Sequence, residues 1–148
     1  MKKLLLILPV LILVACAPSK DAVNDDPRIT AVQTMLIGRW SSEEDRNFER
    51  EYREDGSVVD FYASAEGETE TAAAWSLFTS DNAPSGVKFQ MNNQNVYIAQ
   101  TEKDGTVTYF RITGVTSAEL EIVNMTGNGG MRFGRLATGV EMRDGIED

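Results

Sequence analysis

The residues that could do acid–base or metal chemistry in this 148-residue chain are almost all carboxylates. They occur in short clusters: Glu43-Glu44-Asp45, Glu49 with Glu51, Glu66 with Glu68 and Glu70, and Glu102 with Asp104. A calcium site needs roughly six to eight converging oxygens, and none of these spacings is that of a calcium loop. Two facing carboxylates could hydrolyse a glycoside, but nothing in the pattern marks any two of these acids as buried together. We therefore interpret them as solvated strand faces and turns, and expect no metal and no cofactor.

The chain contains no histidine and a single cysteine, Cys16. The lack of histidine excludes the catalytic triads that use it and every His-ligated zinc, copper or haem site. Gly127-Asn128-Gly129-Gly130 is not a phosphate-binding loop, because the Lys-Ser/Thr pair that completes such a loop does not follow it. We expect a protein without catalytic activity.

The residues before Cys16 have the anatomy of a secretory signal peptide. Lys2 and Lys3 precede an apolar run, residues 4–14, and Ala15 stands just before the cysteine. The run is too short for a permanent membrane span, which needs roughly 20 apolar residues. Cys16 has no partner for an internal disulfide, and a free thiol outside the cytoplasm would be a liability. Residues 1–15 are therefore predicted to be a cleaved signal.

The four residues Leu13-Val14-Ala15-Cys16 resemble the lipobox of bacterial lipoproteins. In that class the cysteine is lipidated and becomes the first residue of the mature protein, so the resemblance implies a palmitate-type lipid anchor on Cys16. The alternative is an ordinary signal peptide that a cysteine happens to follow. Ala17, in place of an aspartate, implies the periplasmic side of the outer membrane if the host has two membranes. In either case the protein is expected at the cell envelope, outside the cytoplasm.

The charge of the chain limits its partners. The chain has 14 basic and 23 acidic residues and a net charge of −9, and cleavage before Cys16 makes it more negative by two because Lys2 and Lys3 are lost. A protein this acidic is a poor candidate for binding nucleic acid or for electrostatic attraction to anionic lipids. Membrane contact is expected through the lipid alone, and the sequence identifies no partner protein.

A short helix is predicted after the anchor. Residues 16–25 comprise the lipidated cysteine and a polar, aperiodic tether. Asp26-Pro27 is typical of an N-cap followed by proline at the first helical position. Ile29, Val32 and Leu36 form one apolar stripe that ends before Gly38.

From Gly38 onward the pattern predicts nine short strands separated by turns. They are expected at residues 37–42, 48–54, 57–63, 70–79, 87–91, 96–103, 106–113, 119–124 and 131–136. Two turns carry Asp-Gly, at Asp55-Gly56 and at Asp104-Gly105, the pair typical of two-residue hairpin loops. The fold class is therefore all-β: an antiparallel meander over residues 26–136 that closes into a small barrel, with one short N-terminal helix. Residues 137–148 are expected to be an acidic, frayed tail.

A two-residue loop fixes the register of each hairpin. In the first, Tyr52 would face Val59 and Arg50 would face Phe61, with Asp60 on the solvent side. In the second, one face would carry Tyr97, Ala99, Phe110 and Ile112. The opposite face would carry Val96, Ile98, Val107 and Tyr109, and periodicity does not decide which of the two is buried.

Gly38-Arg39-Trp40, after a short helix at the start of a β-meander, resembles the first-strand motif of the lipocalin-like families. The resemblance covers roughly residues 28–136. It implies that Trp40 plugs the closed end of a barrel and that an arginine from a late strand, Arg135, packs across it; Arg50 is the competing candidate. The chain departs from true lipocalins in its shorter length, in lacking the Thr-Asp-Tyr motif and in having no disulfide.

The fold analogy leads to two functional hypotheses. In the first, a small apolar or amphipathic molecule binds inside the barrel, lined by aromatic residues from several strands: Phe61, Trp75, Tyr97 and Phe110. In the alternative, these aromatics are simply core, and the filled barrel acts through its surface as an envelope structural or protein-interaction module.

Overall fold

The computed structural model describes residues 26–127 and 129–137. The described part contains one α-helix, α1 (Pro27–Leu36), and eight β-strands. The strands are β1 (Gly38–Ser42), β2 (Phe48–Tyr52), β3 (Ser57–Ser64), β4 (Gly67–Phe78), β5 (Tyr97–Thr101), β6 (Val107–Val115), β7 (Glu119–Asn124) and β8 (Gly130–Arg135). One 3-10 turn, Ser80–Asn82, follows β4.

Each strand pairs antiparallel with the next one in sequence, and β8 pairs with β1 to close a barrel. At the closure Trp40 of β1 lies opposite Arg135 of β8. The prediction of an all-β meander closing into a barrel, with one short helix before it, is confirmed. The topology is consistent with a lipocalin-like fold.

Helix α1 begins where the sequence pattern placed it. The Asp26 side chain accepts a hydrogen bond from the Arg28 backbone N–H (2.9 Å), and Pro27 occupies the first turn. Side-chain hydrogen bonds from Arg28 lower the pKa of Asp26 below its usual value. Ile29 and Leu36 are buried, which places the apolar stripe against the end of the barrel where β1 begins.

The barrel interior is the main core. Strand residues alternate between the interior and the outside. The buried residues in contact there come from the helix and from all eight strands: Leu36, Trp40, Tyr52, Val58, Ala73, Trp75, Ile98, Phe110, Leu120, Ile122 and Phe133. Burial of these side chains is the main source of stability in a domain of this size.

Both hairpin registers predicted from Asp-Gly are wrong by one residue. Tyr52 lies opposite Val58, not Val59, and Ile98 lies opposite Phe110. Each loop has three residues, because the backbone N–H of Arg53 donates to Ser57 O (2.9 Å) and that of Glu102 donates to Thr106 O (2.9 Å). The glycine takes the third loop position with φ of +81° at Gly56 and +86° at Gly105, as in loops that end in a glycine bulge.

The fifth of the nine predicted strands, residues 87–91, is also wrong. This segment belongs to the connection between β4 and β5, and its apolar residues Val87, Phe89 and Met91 pack against the outside of the barrel. The apolar residues of this alternating segment pack on one side, against the barrel, but the backbone of the segment does not pair with a neighbouring strand. The predicted signal, Cys16, the tether and the tail beyond Ala137 lie outside the described residues.

Candidate functional site

Trp40 closes one end of the barrel and is completely buried, with an exposed fraction of 0%. Its indole N–H donates to Leu36 O of the helix (2.8 Å). The Arg135 guanidinium lies over the indole ring, 4.1 Å from the centroid, and donates to the carbonyls of Ile37 (2.8 Å) and Met35. The arginine thus joins the last strand to the end of the helix and to the first strand. It does so through a cation–π contact with Trp40 and through hydrogen bonds to two carbonyls at the helix end that would otherwise be unpaired.

Gly38 makes room for the Arg135 side chain. Its φ is +137°, a conformation open to glycine, and a Cβ at this position would overlap Arg135 Nη1. The glycine therefore leaves the space through which the Arg135 guanidinium reaches the carbonyl of Ile37. We call the arrangement of Gly38, Trp40 and Arg135 the closing latch.

Arg50 does not cover Trp40. It is 5% exposed and makes a bidentate ion pair with Asp60, with Nε–Oδ1 and Nη2–Oδ2 distances of 2.6 and 2.7 Å. The register correction explains why sequence reasoning missed this pair: the shift of one residue turns Asp60 from the solvent face to the interior, opposite Arg50. The only sequence signal for it was an arginine on an otherwise apolar face.

The Arg50 side chain reaches across the barrel. Its guanidinium carbon lies 5.4 Å from the centroid of Phe110, which stands on β6. Strands β2 and β6 are four positions apart in a ring of eight, so they form opposite walls. The arginine and its aromatic neighbours therefore occupy the middle of the interior.

Three buried polar atoms on interior-facing residues are unpaired among the described residues. Arg50 Nη1, the Tyr52 hydroxyl and Gln100 Oε1 make no hydrogen bond of acceptable geometry. Burial raises the pKa of Tyr52, and the neighbouring Arg50 charge opposes that rise. Burial also works against the charge of Arg50, but Tyr52 and Asp60 outweigh it, so the pKa of Arg50 lies above its usual value. Both groups keep their ordinary protonation at neutral pH.

The four aromatic residues proposed to line a pocket do not share one face. Trp75 and Phe110 lie in the interior core, where the edge of the Trp75 ring packs on Tyr52 with centroids 5.3 Å apart. Phe61 pairs with Glu49 on the outer face, and the Arg39 guanidinium covers its ring at 4.0 Å. The sequence-based register placed Phe61 inside because of the shift of one residue.

Tyr97 is also on the outer face, in a second apolar cluster. The β4–β5 connection folds over it, and Phe89 lies 5.6 Å from the rings of both Tyr97 and Tyr109. The Tyr97 hydroxyl accepts a hydrogen bond from the backbone N–H of Asn92 (2.8 Å). Tyr97 therefore fastens the connection to the barrel wall.

The interior side chains expose almost no surface. Ile98 and Leu120 are 0% exposed and Phe110 is 3% exposed, so neither bulk solvent nor a water-sized void touches most of their surface. Two grooves open instead on the outside. One of about 540 Å³ lies beside the β4–β5 connection, and one of about 400 Å³ lies beside the N-terminal half of β4.

Within residues 26–127 and 129–137, no three acidic side chains converge in a way that could hold a metal ion. No helix in the same part of the chain combines the length and apolarity of a membrane span.

Comparison of the sequence with protein-family models, with curated proteins and with solved structures finds no significant match. The strand topology is therefore the observation that is consistent with a lipocalin-like fold.

Proposed function

We propose that this protein is a lipid-anchored, non-catalytic protein of the cell envelope whose barrel is filled by its own side chains and which acts through its outer surface. The proposal takes up the second of the two functional hypotheses. It differs from a ligand-carrying barrel in the place where the partner binds.

The observation that carries the proposal is the position of Arg50. Its guanidinium contacts Phe110 on the opposite wall while it is held by Asp60 on the adjacent strand. A ligand in the middle of the barrel would have to displace this ion pair into a space already occupied by Tyr52, Trp75 and Phe110. Because a buried charge left without its partner costs about 3–5 kcal/mol, a ligand that separated Arg50 from Asp60 would lose that much of its binding free energy.

The anchor is supported by the sequence. Cys16 is the only cysteine, it follows a signal-like run, and lipidation would explain both facts. A lipid of more than one acyl chain gives stable membrane attachment. The location proposed is the outer side of the cell membrane, or the periplasmic side of the outer membrane in a host with two membranes.

The anchor is tested by metabolic labelling with palmitate. The native chain should incorporate the label, and Cys16→Ser should lose both the label and membrane retention. Continued labelling of Cys16→Ser would contradict the lipoprotein assignment.

The filled interior is tested by titration with palmitate and with 1-anilinonaphthalene-8-sulfonate, followed by the fluorescence of Trp40 and Trp75. Both indoles belong to the interior core, so an interior ligand would change their emission. We expect no saturable change. A saturable change at one ligand per chain would overturn the filled-barrel proposal.

The second candidate is a small amphipathic molecule held inside the barrel. The specific observation in its favour is that three interior-facing residues each have an unpaired polar atom, since buried polar atoms normally have partners: Arg50 Nη1, the Tyr52 hydroxyl and Gln100 Oε1. Such a ligand would present a neutral hydrogen-bonding group to these atoms, because Asp60 already balances the charge of Arg50. If the titration saturates, Tyr52→Phe should weaken binding, and this candidate would replace the first.

A further inference from the structure

The N-terminal half of β4, residues 67–73, forms an open edge in the barrel wall. β4 has twelve residues and pairs with β3 from Gly67 onward, but its pairing with β5 begins at Ala74. β5 ends at Thr101, where the chain turns through Asp104-Gly105. Among the described residues, 67–73 therefore have a neighbouring strand on one side only.

The direction of the free backbone groups follows from the ladder. The Trp75 N–H donates to Gly56 O on the β3 side (2.8 Å), and backbone groups alternate sides along an antiparallel strand. Odd-numbered residues of β4 thus point their N–H and C=O to β3. Those of Glu68, Glu70 and Ala72 point to the open edge, where no described strand meets them.

A groove of about 400 Å³ runs along this edge. Its lining comes from the edge itself and from the β5–β6 turn: Glu70, Thr71, Ala72, Glu102, Lys103 and Asp104. Three of the four charged side chains are acidic, and Glu66 and Glu68 extend the negative charge along an exposed hairpin. The edge therefore combines unpaired backbone groups, room beside them and a mostly negative charge, although Lys103 lines the groove and Arg39 Nη2 lies 3.9 Å from Glu68 Oε2.

A second copy of this chain does not fit the edge. If two β4 edges paired, glutamates of one copy would meet glutamates of the other, and like charges directly opposite are destabilising. A strand with lysine or arginine at alternate positions would instead place its cations opposite Glu68 and Glu70. Its backbone would supply partners for the unpaired N–H and C=O groups.

We propose that the open edge of β4 is a docking site for an extended, basic segment of a partner protein, which adds a strand beside Glu68, Glu70 and Ala72. This inference deepens the proposed function and rests on it, because it names the part of the outer surface that acts. The cations of the segment lie on the outer face and its other side chains lie beside Thr69 and Thr71.

The test uses the full chain in neutral detergent and fluorescein-labelled Thr-Lys-Val-Lys-Val-Lys-Thr, followed by fluorescence anisotropy. Three control peptides are matched to it. In the first, glutamates replace the lysines, and in the second, the same residues stand in an order that breaks the alternation of lysine and valine. In the third, the backbone amide nitrogens of the lysines are methylated. In the docked strand those nitrogens face β4, so methylation removes the ladder while the charge stays. We expect the methylated peptide to bind at least about tenfold more weakly, as loss of two or three net hydrogen bonds predicts.

Two variants test the edge from the protein side. Ala72→Pro removes an N–H that points to the open edge and leaves the β3 ladder intact, a position where proline is tolerated. It should melt within a few degrees of the native chain yet bind the lysine peptide at least about tenfold more weakly. Glu70→Lys should weaken the lysine peptide and strengthen the glutamate peptide.

Equal binding of the methylated or scrambled peptide would reduce the contact to non-specific charge attraction and overturn the inference. The inference would also be overturned if the lysine peptide did not bind at millimolar concentration, or if the native chain formed a dimer that Ala72→Pro dissociates. If the peptide fails while the palmitate titration stays flat, this inference alone falls. Saturable palmitate binding would instead refute the proposed function.

Discussion

Truncation of Trp40 to alanine should remove a large part of the stability of the barrel. The indole is completely buried, and a side chain of this type buries about 200 Å². At about 25 cal/mol per Å² the lost burial is worth about 5 kcal/mol, which is an upper value because the unfolded chain already hides some surface. We therefore expect Trp40→Ala to lower the free energy of unfolding by about 4 kcal/mol, within the range of large core truncations.

The closing latch makes a sharper prediction than the truncation alone. Arg135→Met keeps the length and apolar stem of the arginine but removes its charge over the indole and its bonds to Ile37 and Met35. If the two side chains act together, the double variant should be less destabilised than the sum of the single variants. The coupling should be about 1 kcal/mol, since Arg135 remains partly exposed.

Urea unfolding followed by circular dichroism measures both quantities, in a soluble form that begins at Ala17. Trp40→Phe is the matched control. It keeps most of the ring but loses the hydrogen bond to Leu36 O, so its cost should be about 1–3 kcal/mol, below that of alanine. A cost of less than 1 kcal/mol for Trp40→Ala, or additive single variants, would refute the role of Trp40 and Arg135 as the latch.

Three further outcomes follow from the same structure. Gly38→Ala should destabilise the fold by about 1–3 kcal/mol, because it combines strain at φ +137° with a clash against Arg135; a calorimetric melting temperature equal to that of the native chain would contradict this. Asp60→Asn should cost about 3 kcal/mol in urea unfolding, since it leaves the Arg50 charge buried, whereas joint replacement of Arg50 by Met and Asp60 by Leu should recover most of the loss. Stability should decline as the pH rises above about 10, because the unfolded chain then releases the Tyr52 proton while burial holds the folded pKa higher; Tyr52→Phe should show a shallower decline in unfolding measured between pH 9 and about 11.

The first strand and the last two were predictable within one residue at each end, and the faces of the last two were predictable as well. Leu120 and Ile122 of β7 lie inside, as their alternation indicated, and so do Phe133 and Arg135 of β8. Trp40 was predictable from its spacing after Gly38. In each case the apolar pattern and the pleat of the strand point to the same face, so local reasoning is sufficient.

The hairpin faces were not predictable from the Asp-Gly pair alone. The Asp55 carboxylate accepts a hydrogen bond from the Ser57 N–H (2.8 Å), and Asp104 does the same for Thr106 (2.8 Å). These bonds occur here in loops of three residues. One additional loop residue moves every side chain of the following strand to the opposite face of the sheet. Phe61 and Tyr97 therefore lie on the outer face, whereas Phe110 remains inside.

The β4–β5 connection shows a different limit. Val87, Phe89 and Met91 alternate with polar residues as in a strand, and they are indeed the half-buried members of the segment. Their partners are Phe78, Tyr97 and Tyr109 on the outside of the barrel, which are distant in sequence. A short alternating run predicts one buried face, but it does not tell whether a backbone ladder accompanies it.

Native mass spectrometry of the soluble form, expressed in bacteria and purified without detergent, tests the central claim most directly. The instrument reports whether the barrel retains any molecule from the cell. A filled barrel held across its interior by Arg50 and Asp60 predicts the bare mass of the chain. A stoichiometric adduct that organic solvent extracts would contradict the account and show that the interior opens to a ligand.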